Sequence, residues 1–453
     1  MKQQSLPFWR VRARGQVRAT EPNNSMKNKN QTMILSALVA GLAVCGTNVW
    51  QARGAPVGCG AVLTANTTLQ SDLDCSGAAL VVGADNITVN LNGHTLRSRD
   101  GLGVGVTIVG HRGVTIKDGV IDGFQEAILA QESSDLTLQG LTIPSLSGNG
   151  TIPAFGEIAA IRIEGGQKVE IKDSSISAGP LFIGDNLGPD AILLESVRDA
   201  SIKNVHVDGG FSGVNFGSCG DPQFGCPPWS EQLPSSGEVK NCTFANNWFG
   251  VILINAADVT IKDNVISGAD QGIRAGFVDV LSPASVKILG NEISGCFLGI
   301  TSWLQPWMTE FSGSMSGCLI KGNNVHNNVR GIGMTALINS EISDNASTDN
   351  DLFGINFSEN CVNNVVKGNL LARNGGRGLV VIFGSNNNQI SGNQVLDNGL
   401  EGITLFLGTN TGNQITDNTA LGNGVWDLFH NDESTPNVWR DNIYNTKSGD
   451  DIP

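Results

Sequence analysis

Two short phrases, one period apart, decide the fold: Asn364-Val-Val-Lys-Gly-Asn369 and Asn388-Gln-Ile-Ser-Gly-Asn393. Related phrases begin at Asn339, Asn413 and Asn437, and the asparagines that close the five phrases are 24, 24, 25 and 24 residues apart. Self-similarity with a period of roughly 20–50 residues is the signature of a solenoid. This period fits one lap of a three-sided parallel β-coil, in which three short strands alternate with three bends.

The phrases place one asparagine at the same point of every lap. The central apolar residue of each phrase points into the coil, because side chains alternate between the two faces of a strand. The closing asparagine sits at a tight bend, where it tolerates left-handed backbone geometry and its amide can bond the backbone. Laps stacked at the strand spacing of about 4.8 Å then form an Asn ladder. Its predicted members are Asn264, Asn291, Asn323, Asn345, Asn369, Asn393, Asn418 and Asn442, with Gly119, Ser174 and Cys242 in their place in earlier laps.

The repeat predicts an all-β, single-stranded parallel β-helix of about 13–14 coils, because a solenoid grows in one dimension. We expect an N-terminal extension with a signal peptide at residues 1–55, an N-terminal cap at 56–85, the β-helix at 86–445 and a C-terminal tail at 446–453. No stretch has the period of a long amphipathic helix. The large side chains of Trp439 and Tyr444 suit the cover that an open coil end needs.

The N-terminal part of the predicted coil carries a family resemblance. The phrases Leu69-Gln-Ser-Asp-Leu-Asp-Cys75 and Ala84-Asp-Asn-Ile-Thr-Val-Asn-Leu-Asn-Gly-His-Thr95, with the repeats that follow them, resemble secreted right-handed parallel β-helix proteins of the pectate-lyase-like superfamily. Among these, the repeats resemble the PbH1 class of NosD-type periplasmic proteins, over residues 57–445. The resemblance implies a right-handed coil and a substrate that lies along one strand face. Such a repeat is specific for the fold and says little about chemistry.

The N-terminal extension predicts export. Residues 33–46 form an apolar run that follows the basic start at Met26. This run is too short to span a bilayer and is typical of a signal peptide. We therefore expect a secreted, periplasmic or cell-surface protein without stable membrane insertion.

The charge of the chain excludes one class of partner. The whole chain has a net charge of −14, and residues 1–55 hold eight basic residues against one acidic residue. Loss of that segment leaves about −21, which argues against nucleic-acid binding because such binding needs basic patches. A polyanionic sugar would need a divalent cation or a local basic groove.

The cysteines fit an exported chain, since eight remain after Cys45 and an even number is typical of disulfide-bonded proteins. Cys59 and Cys75 are expected to staple the N-terminal cap, and Cys219 and Cys226 to close a loop. Buried single thiols are expected at Cys242, Cys296, Cys318 and Cys361.

Five insertions break the period, and all of them adjoin one strand face of the coil. They cover residues 144–158, 177–190, 217–237, 276–285 and 302–316. Insertions on one side of a repeat protein often line its binding surface. We predict that these five loops form a groove that binds an extracellular polysaccharide.

The strands of that face supply the candidate catalytic residues Arg162, Glu164, Glu195 and Arg274. By strand alternation these side chains point outward, where two arginines and two carboxylates could bind a uronate and move a proton. An enzyme would bring all four together over one cleft. The alternative is that they are solvated residues that pair across strands.

Substrate-binding candidates lie on the same face and in its loops. Asn215 and Thr301 are expected to point into the groove, and Trp229, Trp303 and Trp307 offer flat faces for sugar rings. Alternatively, the aromatic residues, Phe211 among them, pack their own loops against the coil.

Metal and cofactor signals are weak. Ca²⁺ binding is one possibility, because acidic residues lie in the loops and oxygen ligands suit that ion. These residues are Asp185, Asp190, Asp221, Asp279 and Glu310. The five histidines are scattered without the spacing of a metal site, and we expect no other cofactor.

Several functions are therefore open. The preferred function is polysaccharide binding, with catalysis by a polysaccharide lyase, C5-epimerase or glycoside hydrolase as an alternative. A structural or adhesive surface protein and a NosD-like periplasmic factor are further alternatives. The sequence leaves the oligomeric state open.

Overall fold

The chain coils in laps of three strands, and the strands of successive laps pair in parallel to form three long sides. The computed structural model describes residues 57–147, 158–180, 182–183, 186–217, 233–276, 285–302, 315–431 and 436–453. In these ranges the chain forms strands and no helix, and hence no helix long and apolar enough to cross a membrane. The expected signal segment at 33–46 and the expected pair Cys219 and Cys226 lie outside the described residues.

Side A is a parallel sheet of sixteen strands, one from each lap. Its strands are β1 (Ala61–Leu63), β4 (Leu80–Val82), β7 (Val104–Val109), β9 (Glu126–Gln131), β11 (Ala159–Glu164), β15 (Asp190–Glu195), β17 (Ser212–Phe216), β20 (Phe249–Leu253), β23 (Gln271–Ala275), β26 (Leu298–Thr301), β30 (Arg330–Thr335), β34 (Phe353–Glu359), β37 (Arg377–Val381), β40 (Ile403–Leu405), β43 (Leu428–His430) and β45 (Lys447–Ser448). Thirteen of these strands lie within residues 86–445, as the predicted 13–14 coils require, and β1, β4 and β45 extend the sheet into the segments expected to form the cap and the tail.

Sides B and C follow side A in each lap. Four long strands turn the corner and serve both sides: β8 (Thr115–Asp122), β10 (Ser134–Ile143), β12 (Gln167–Gly179) and β16 (Arg198–Gly209). The other strands of side B are β2 (Thr67–Thr68), β5 (Thr88–Asn90), β18 (Ser235–Lys240), β21 (Ala256–Lys262), β24 (Lys287–Leu289), β28 (Leu319–Lys321), β32 (Glu341–Ser343), β35 (Val365–Lys367), β38 (Gln389–Ser391), β41 (Gln414–Thr416) and β44 (Val438–Arg440).

Side C completes the lap with short strands. They are β3 (Leu73–Cys75), β6 (Thr95–Ser98), β19 (Thr243–Ala245), β22 (Val265–Ser267), β25 (Glu292–Ser294), β29 (Asn324–His326), β33 (Ala346–Thr348), β36 (Leu370–Ala372), β39 (Gln394–Leu396) and β42 (Thr419–Leu421). Two small pairs lie outside the three sides: β13 (Phe182–Ile183) with β14 (Asn186–Leu187), and β27 (Met315–Ser316) with β31 (Leu337–Ile338).

The core consists of aliphatic side chains stacked in register. On side B, Ile342 pairs with Val366, Val366 with Ile390, and Ile390 with Ile415, and all four are fully buried. Burial of each such side chain stabilises the fold by about 1.5–3 kcal/mol. The expected disulfide Cys59–Cys75 is present at the N-terminal end, where it ties the segment before β1 to β3.

The Asn ladder runs along the corner between sides B and C, as predicted. The Nδ2 and backbone N of Asn369 both donate to Oδ1 of Asn393, at 2.9 and 3.0 Å, and the same pattern links every ladder residue from Asn264 to Asn442. Each Nδ2 also donates to a carbonyl of the preceding lap, as from Asn369 to Ile342 O at 3.0 Å. Side-chain amides thus take the place of missing strand hydrogen bonds at the bend.

The left-handed backbone geometry belongs to the residue before each ladder asparagine, which corrects the expectation that the asparagine itself adopts it. Asp344 has φ 54 and Gly368 has φ 64, whereas neither Asn345 nor Asn369 has a positive φ. Glycine and aspartate tolerate that region. This division of roles explains why the phrases end in Asp-Asn or Gly-Asn.

The other two corners carry ladders that the sequence analysis did not identify. At the corner between sides A and B, the amides of Asn364, Asn388, Asn413 and Asn437 form a second chain of hydrogen bonds. A third chain at the corner between sides C and A contains Asn328, Asn350, Asn374, Asn398 and Asn423, and it ends on the carboxylate of Asp427.

The four expected single thiols are buried and free, and three of them, Cys242, Cys296 and Cys318, occupy ladder positions. The backbone N of Cys242 donates to Oδ1 of Asn264, and that of Cys296 donates to Oδ1 of Asn328. Burial raises the pKa of Cys242, Cys296 and Cys318 to about 11. These thiols are therefore protonated at neutral pH and act as small apolar side chains.

The C-terminal residues close the end of the coil. Trp439 is buried, as expected for a covering residue, and Tyr444 packs against the core. Ile452 of the predicted tail also enters the core, and Asp451 accepts a 2.8 Å hydrogen bond from Nδ1 of His430. The tail is thus part of the cap.

Replacement of Asn369 by alanine tests the ladder. The change removes the Oδ1 acceptor of two donors of Asn345 at a site that is 1% exposed. Each buried polar group left without a partner costs about 1–3 kcal/mol, so we expect a loss of about 2–4 kcal/mol and a lower melting temperature. Gln394→Ala, which removes an exposed amide from the adjacent strand, is the control and should change stability by less than about 0.5 kcal/mol. Equal melting temperatures for the two variants would contradict this role.

Candidate functional site

The outer surface of side A is organised by glycine–aliphatic pairs. Gly299 and Ile300 both face the core, and a Cβ at Gly299 would lie 2.5 Å from Val325 Cγ1, so a larger residue does not fit without displacement. Because two consecutive residues face inward, the residues on either side of the pair both face outward. The same arrangement in successive laps produces two outward rows along side A.

Row one contains the residues that precede the inward pairs. Its members are Glu126, Ala159, Asp190, Ser212, Phe249, Gln271, Leu298, Arg330, Phe353, Arg377 and Glu401. Row two contains the residues that follow them: Leu129, Arg162, Leu193, Asn215, Ile252, Arg274, Thr301, Gly333, Asn356, Val380 and Thr404.

The five predicted insertions all adjoin side A. The first two lie between side C and side A, before β11 and β15. The other three lie between side A and side B, after β17, β23 and β26. The strand bounds therefore place the insertions at both edges of this sheet, as the sequence indicates. Large parts of these loops lie outside the described residues.

A cluster of charged side chains lies near the N-terminal end of side A. We call Glu126, Gln131, Arg162 and Glu164 the Glu–Arg cluster. Arg162 Nε lies 3.2 Å from Glu126 Oε1, and its Nη2 lies 3.1 Å from Glu164 Oε1. Gln131 Nε2 donates to the other oxygen of Glu164 at 2.5 Å. Two adjacent strands thus hold an arginine between two carboxylates.

Glu126 has the most perturbed carboxyl of this cluster. Its burial raises the pKa to about 7, although Arg162 lowers it, and the nearby Glu164 raises it further. Only 8% of the surface of Glu126 is exposed to solvent. A carboxyl with a pKa near neutrality can exchange a proton with a bound molecule at physiological pH.

Three of the four predicted catalytic residues lie close together. Glu195 pairs in register with Glu164 on the next strand, about 4.8 Å away, and Arg162 contacts Glu164 directly. Arg274 lies four strands further along row two, about 19 Å from Arg162. The four residues therefore do not share one cleft, because their order along the chain separates them by whole laps.

Arg274 belongs to a separate buried group. It is 1% exposed, its Nη1 donates to Gln271 Oε1 at 3.4 Å, and its guanidinium lies 5.7 Å from the ring centre of Phe249. Burial lowers the pKa of Arg274 to about 10, while Asp270 raises it. The side chain thus remains cationic.

The expected substrate-binding residues are less accessible than predicted. Asn215 is 5% exposed and Thr301 is 1% exposed, so neither presents an open surface. The indoles of Trp229, Trp303 and Trp307 lie outside the described residues. Phe211 packs edge-on against Phe249, with ring centres 5.2 Å apart, which agrees with the alternative that it packs its own loop.

Asp190, one of the acidic residues considered for Ca²⁺, is fully buried. Ser212 Oγ donates to its Oδ1, and Asn215 Nδ2 donates to its Oδ2 at 3.1 Å. Burial raises the pKa of Asp190 to about 7 despite these bonds. Asp185, Asp221, Asp279 and Glu310 lie outside the described residues, and the part of the chain that is described holds no group of three metal-ligating side chains.

The C-terminal half of side A has an open depression. Its walls include Leu298, Thr301, Arg330, Phe353 and Asn356. The expected groove lies between residues 144 and 316, and most of this lining falls outside that range. The signal that could have found it is Gly333, a glycine in an outward position of a strand.

Family comparison agrees with this architecture. A model of the right handed beta helix region matches residues 159–305 and 308–425, more than half of the chain. The chain belongs to the right-handed β-helix family. No curated protein sequence matches this β-helix.

Several solved structures share the fold. The periplasmic alginate epimerase AlgG aligns with a TM-score of 0.51 at 16% identity, over 76% of this chain and 78% of that one. The surface adhesin PfbA of Streptococcus pneumoniae aligns at 0.42 and 14%, over 75% and 83% of the two chains. An exopolygalacturonase from Thermotoga maritima aligns at 0.40 and 13%, over 66% and 80%. At these identities the likeness shows the β-helix fold alone.

The raised pKa of Glu126 has a consequence for the pH dependence of stability. The folded β-helix binds this proton more tightly than the unfolded chain, so the stabilisation is complete below pH 4.5 and is lost as the pH rises to about 7. The loss is at most about 3 kcal/mol. In Glu126→Gln that loss is absent, so we expect its melting temperature to rise relative to the native protein between pH 4.5 and 8.

Glu341→Gln is the matched control. Hydrogen bonding from Ser343 is the largest of the effects that lower the pKa of Glu341 below 4.5, so this carboxyl stays ionised around pH 7, where Glu126 titrates. The melting-temperature difference of this variant should not change with pH. A constant difference for Glu126→Gln as well would show that Glu126 does not titrate near neutrality.

Proposed function

We propose that this β-helix binds an extracellular polysaccharide on the outer surface of side A, at the Glu–Arg cluster and Glu195. The observation that carries the proposal is the fixed, partly exposed set of carboxylates and guanidinium on adjacent strands. Side-chain relative exposures of 20% for Arg162 and 28% for Glu164 leave these groups accessible. Carboxylates accept hydrogen bonds and a guanidinium donates them, which suits the hydroxyl groups of sugar rings.

The charge of the cluster favours sugar hydroxyls over a uronate carboxylate at this position. Arg162 already contacts Glu126 and Glu164, and Glu195 adds a further acid on the next strand. An anionic sugar would have to compete with these carboxylates for a single guanidinium. We therefore replace the initial hypothesis of uronate binding by Arg162 with binding of a neutral part of the polysaccharide.

Two further observations support a polysaccharide partner. The insertions flank side A at both edges, which is where a long ligand would be held. The fold is shared with AlgG, a periplasmic alginate epimerase that acts on a polysaccharide. We infer from the same likeness, and from the expected signal peptide, that the protein is periplasmic or extracellular.

Proton transfer is a second candidate function, and Glu126 is the observation that favours it. Its pKa of about 7 suits a general acid or base at neutral pH, as lyase, epimerase or glycoside hydrolase chemistry requires. The role of Arg162 would then be to hold Glu126 in place and to lower its pKa from the value that burial alone would give.

The binding proposal is tested with Glu164→Gln on an array of neutral and acidic polysaccharides. The loss of a charged acceptor should weaken binding about 10-fold or more, since a hydrogen bond to a charged group contributes about 1.5–3 kcal/mol. Glu341→Gln is the control, because Glu341 is also ion-paired and similarly exposed but lies on side B. Equal affinities of the two variants would contradict a site at the cluster. Absence of binding to every polymer would favour a structural role.

The catalytic candidate is tested with the polymers that bind. Glu126→Gln should abolish product formation, followed as ultraviolet absorbance of unsaturated sugars and as reducing ends, while binding is retained. The native protein should lose activity on either side of a pH optimum near neutrality. Turnover that is unchanged in Glu126→Gln would exclude this residue as the acid or base.

A further inference from the structure

Six consecutive laps near the C-terminal end carry a row of apolar residues along one edge of side A. The row consists of the residue that directly precedes row one in the laps of β26, β30, β34, β37, β40 and β43, and Trp426 holds the row-one position of the last of these laps. We call it the C–A rim, and its members are Phe297, Val329, Leu352, Gly376, Leu400 and Val425. Four of the apolar side chains are 38–46% exposed. Contiguous exposed apolar residues are characteristic of a contact surface.

The opposite edge of the same sheet carries a second row, in which the backbone is strained. Equivalent residues of four of these laps all have a left-handed φ between 50° and 57°. We call this row the A–B rim, and its members are Ala336, Asn360, Phe383 and Leu407. Asparagine tolerates that region, whereas bulky residues seldom adopt it. Phe383 and Leu407 are also 46% and 47% exposed, so burial within the chain offsets little of the strain. Strain of this kind points to a role outside the single chain.

The surface between the two rims has little net charge. Arg377 Nε lies 2.7 Å from Glu401 Oε2, and the Arg377 guanidinium lies 4.7 Å from the ring centre of Phe406. The guanidinium of Arg330 lies 6.0 Å from the ring centre of Phe297. Row one thus holds two cations and one anion here, in a chain whose net charge is −14. Copies of such an acidic chain repel each other, and this face does not add to that repulsion.

The side-chain sizes along both rims are complementary about one point, midway between β34 and β37. A two-fold axis at that point would place a second copy against the sheet with its laps in the opposite order. The facing pairs on the C–A rim are then Phe297 with Val425, Val329 with Leu400, and Leu352 with Gly376. The facing pairs on the A–B rim are Asn360 with Phe383 and Ala336 with Leu407. Every pair joins a larger side chain to a smaller one, as a self-complementary two-fold interface requires.

We propose that the C-terminal half of side A binds a second copy of this chain, in an antiparallel dimer whose two-fold axis passes between β34 and β37. Strand dimensions make the face about 24 Å long from β26 to β43 and about 23 Å wide from Leu400 to Leu407. Two such faces bury about 1,100 Å² in total, near the lower limit for a specific interface. The dimer therefore forms in a concentration-dependent manner.

The proposed polysaccharide site lies outside this face. The Glu–Arg cluster is on β9 and β11, and β11 is five strands away from β26, which corresponds to about 24 Å. An antiparallel dimer places its two clusters at opposite ends, where both remain open to a ligand. Dimer formation and polysaccharide binding can therefore be measured independently.

Sedimentation velocity of the native chain at about 1–100 µM tests the proposal, because dissociation constants in that range suit a small interface. We expect the sedimentation coefficient to rise from that of a monomer to that of a dimer. Leu400→Asp should weaken the dimer about 10-fold or more, since an unpaired carboxylate is costly to bury. Its melting temperature should not change, because Leu400 is 39% exposed. Val265→Asp is the matched control, since Val265 is 46% exposed on side C and should leave the dimer intact.

Cysteine cross-linking tests the arrangement of the two copies. The axis places Val329 of one copy against Leu400 of the other, so Val329→Cys combined with Leu400→Cys should give an intermolecular disulfide under mild oxidation. Leu400→Cys alone should not, because β30 and β40 are three strands apart. The two copies of residue 400 are then about 14 Å apart, whereas the Cα atoms of a disulfide lie within about 7 Å of each other.

Each outcome decides the proposal. A dimer that is lost in Leu400→Asp and kept in Val265→Asp supports it. A native chain that stays monomeric at every concentration, or equal dimerisation of the native chain and Leu400→Asp, would overturn it. Cross-linking of Leu400→Cys alone would contradict the antiparallel arrangement. A monomeric native chain whose polysaccharide binding is weakened by Leu400→Asp would assign this face to the sugar instead of a second copy.

Discussion

Side-chain amides that hydrogen-bond from lap to lap hold this structure together at its corners. A bend cannot continue the hydrogen-bonding pattern of the strands on either side, and buried donors and acceptors without partners destabilise a fold. Each ladder asparagine supplies both kinds of group, since its Oδ1 accepts from the lap before and its Nδ2 donates to the lap after. Three such ladders, one at each corner, fix the register of the C-terminal laps.

Fixed register is also what aligns the outer surface of side A. Because the laps stack without slipping, residues at equivalent positions form straight rows, and a single substitution changes one point of a row. Glycine at 333 opens a depression, and a carboxylate at 126 meets an arginine on the next strand. The chemistry of the outer surface thus depends on which side chain each lap carries at a given position, since the backbone of the laps is alike. Charge varies along the rows in the same way, from the acid-rich Glu–Arg cluster to a depression in which Arg330 is the one charged side chain among the described residues of the lining.

The sequence predicted the β-helix and its Asn ladder, and it predicted some of the residues of the candidate site. The asparagines from Asn264 to Asn442 recur once per lap, because stacked laps must place them at the same corner. The ladder could therefore be identified from their spacing in the sequence. Arg162 and Glu164 could be paired because residues two apart on a strand share a face. Glu126 was missed because Ala127 and Ile128 both face inward, which interrupts the alternation on which the prediction relied. The burial of Arg274 and Asn215 was also missed. Strand alternation gives the direction in which a side chain points, but it does not show whether other residues cover that side chain.

Hydrogen–deuterium exchange at the corners is the most direct test of the account. The backbone amides of Asn345, Asn369 and Asn393 lie at bends, and each donates to the side chain of the next lap. If the ladders hold the laps in register, these amides exchange as slowly as the strands Glu341–Ser343 and Val365–Lys367. Rapid exchange at these three amides, with slow exchange confined to the strands, would contradict the claim that the ladders hold the laps in register.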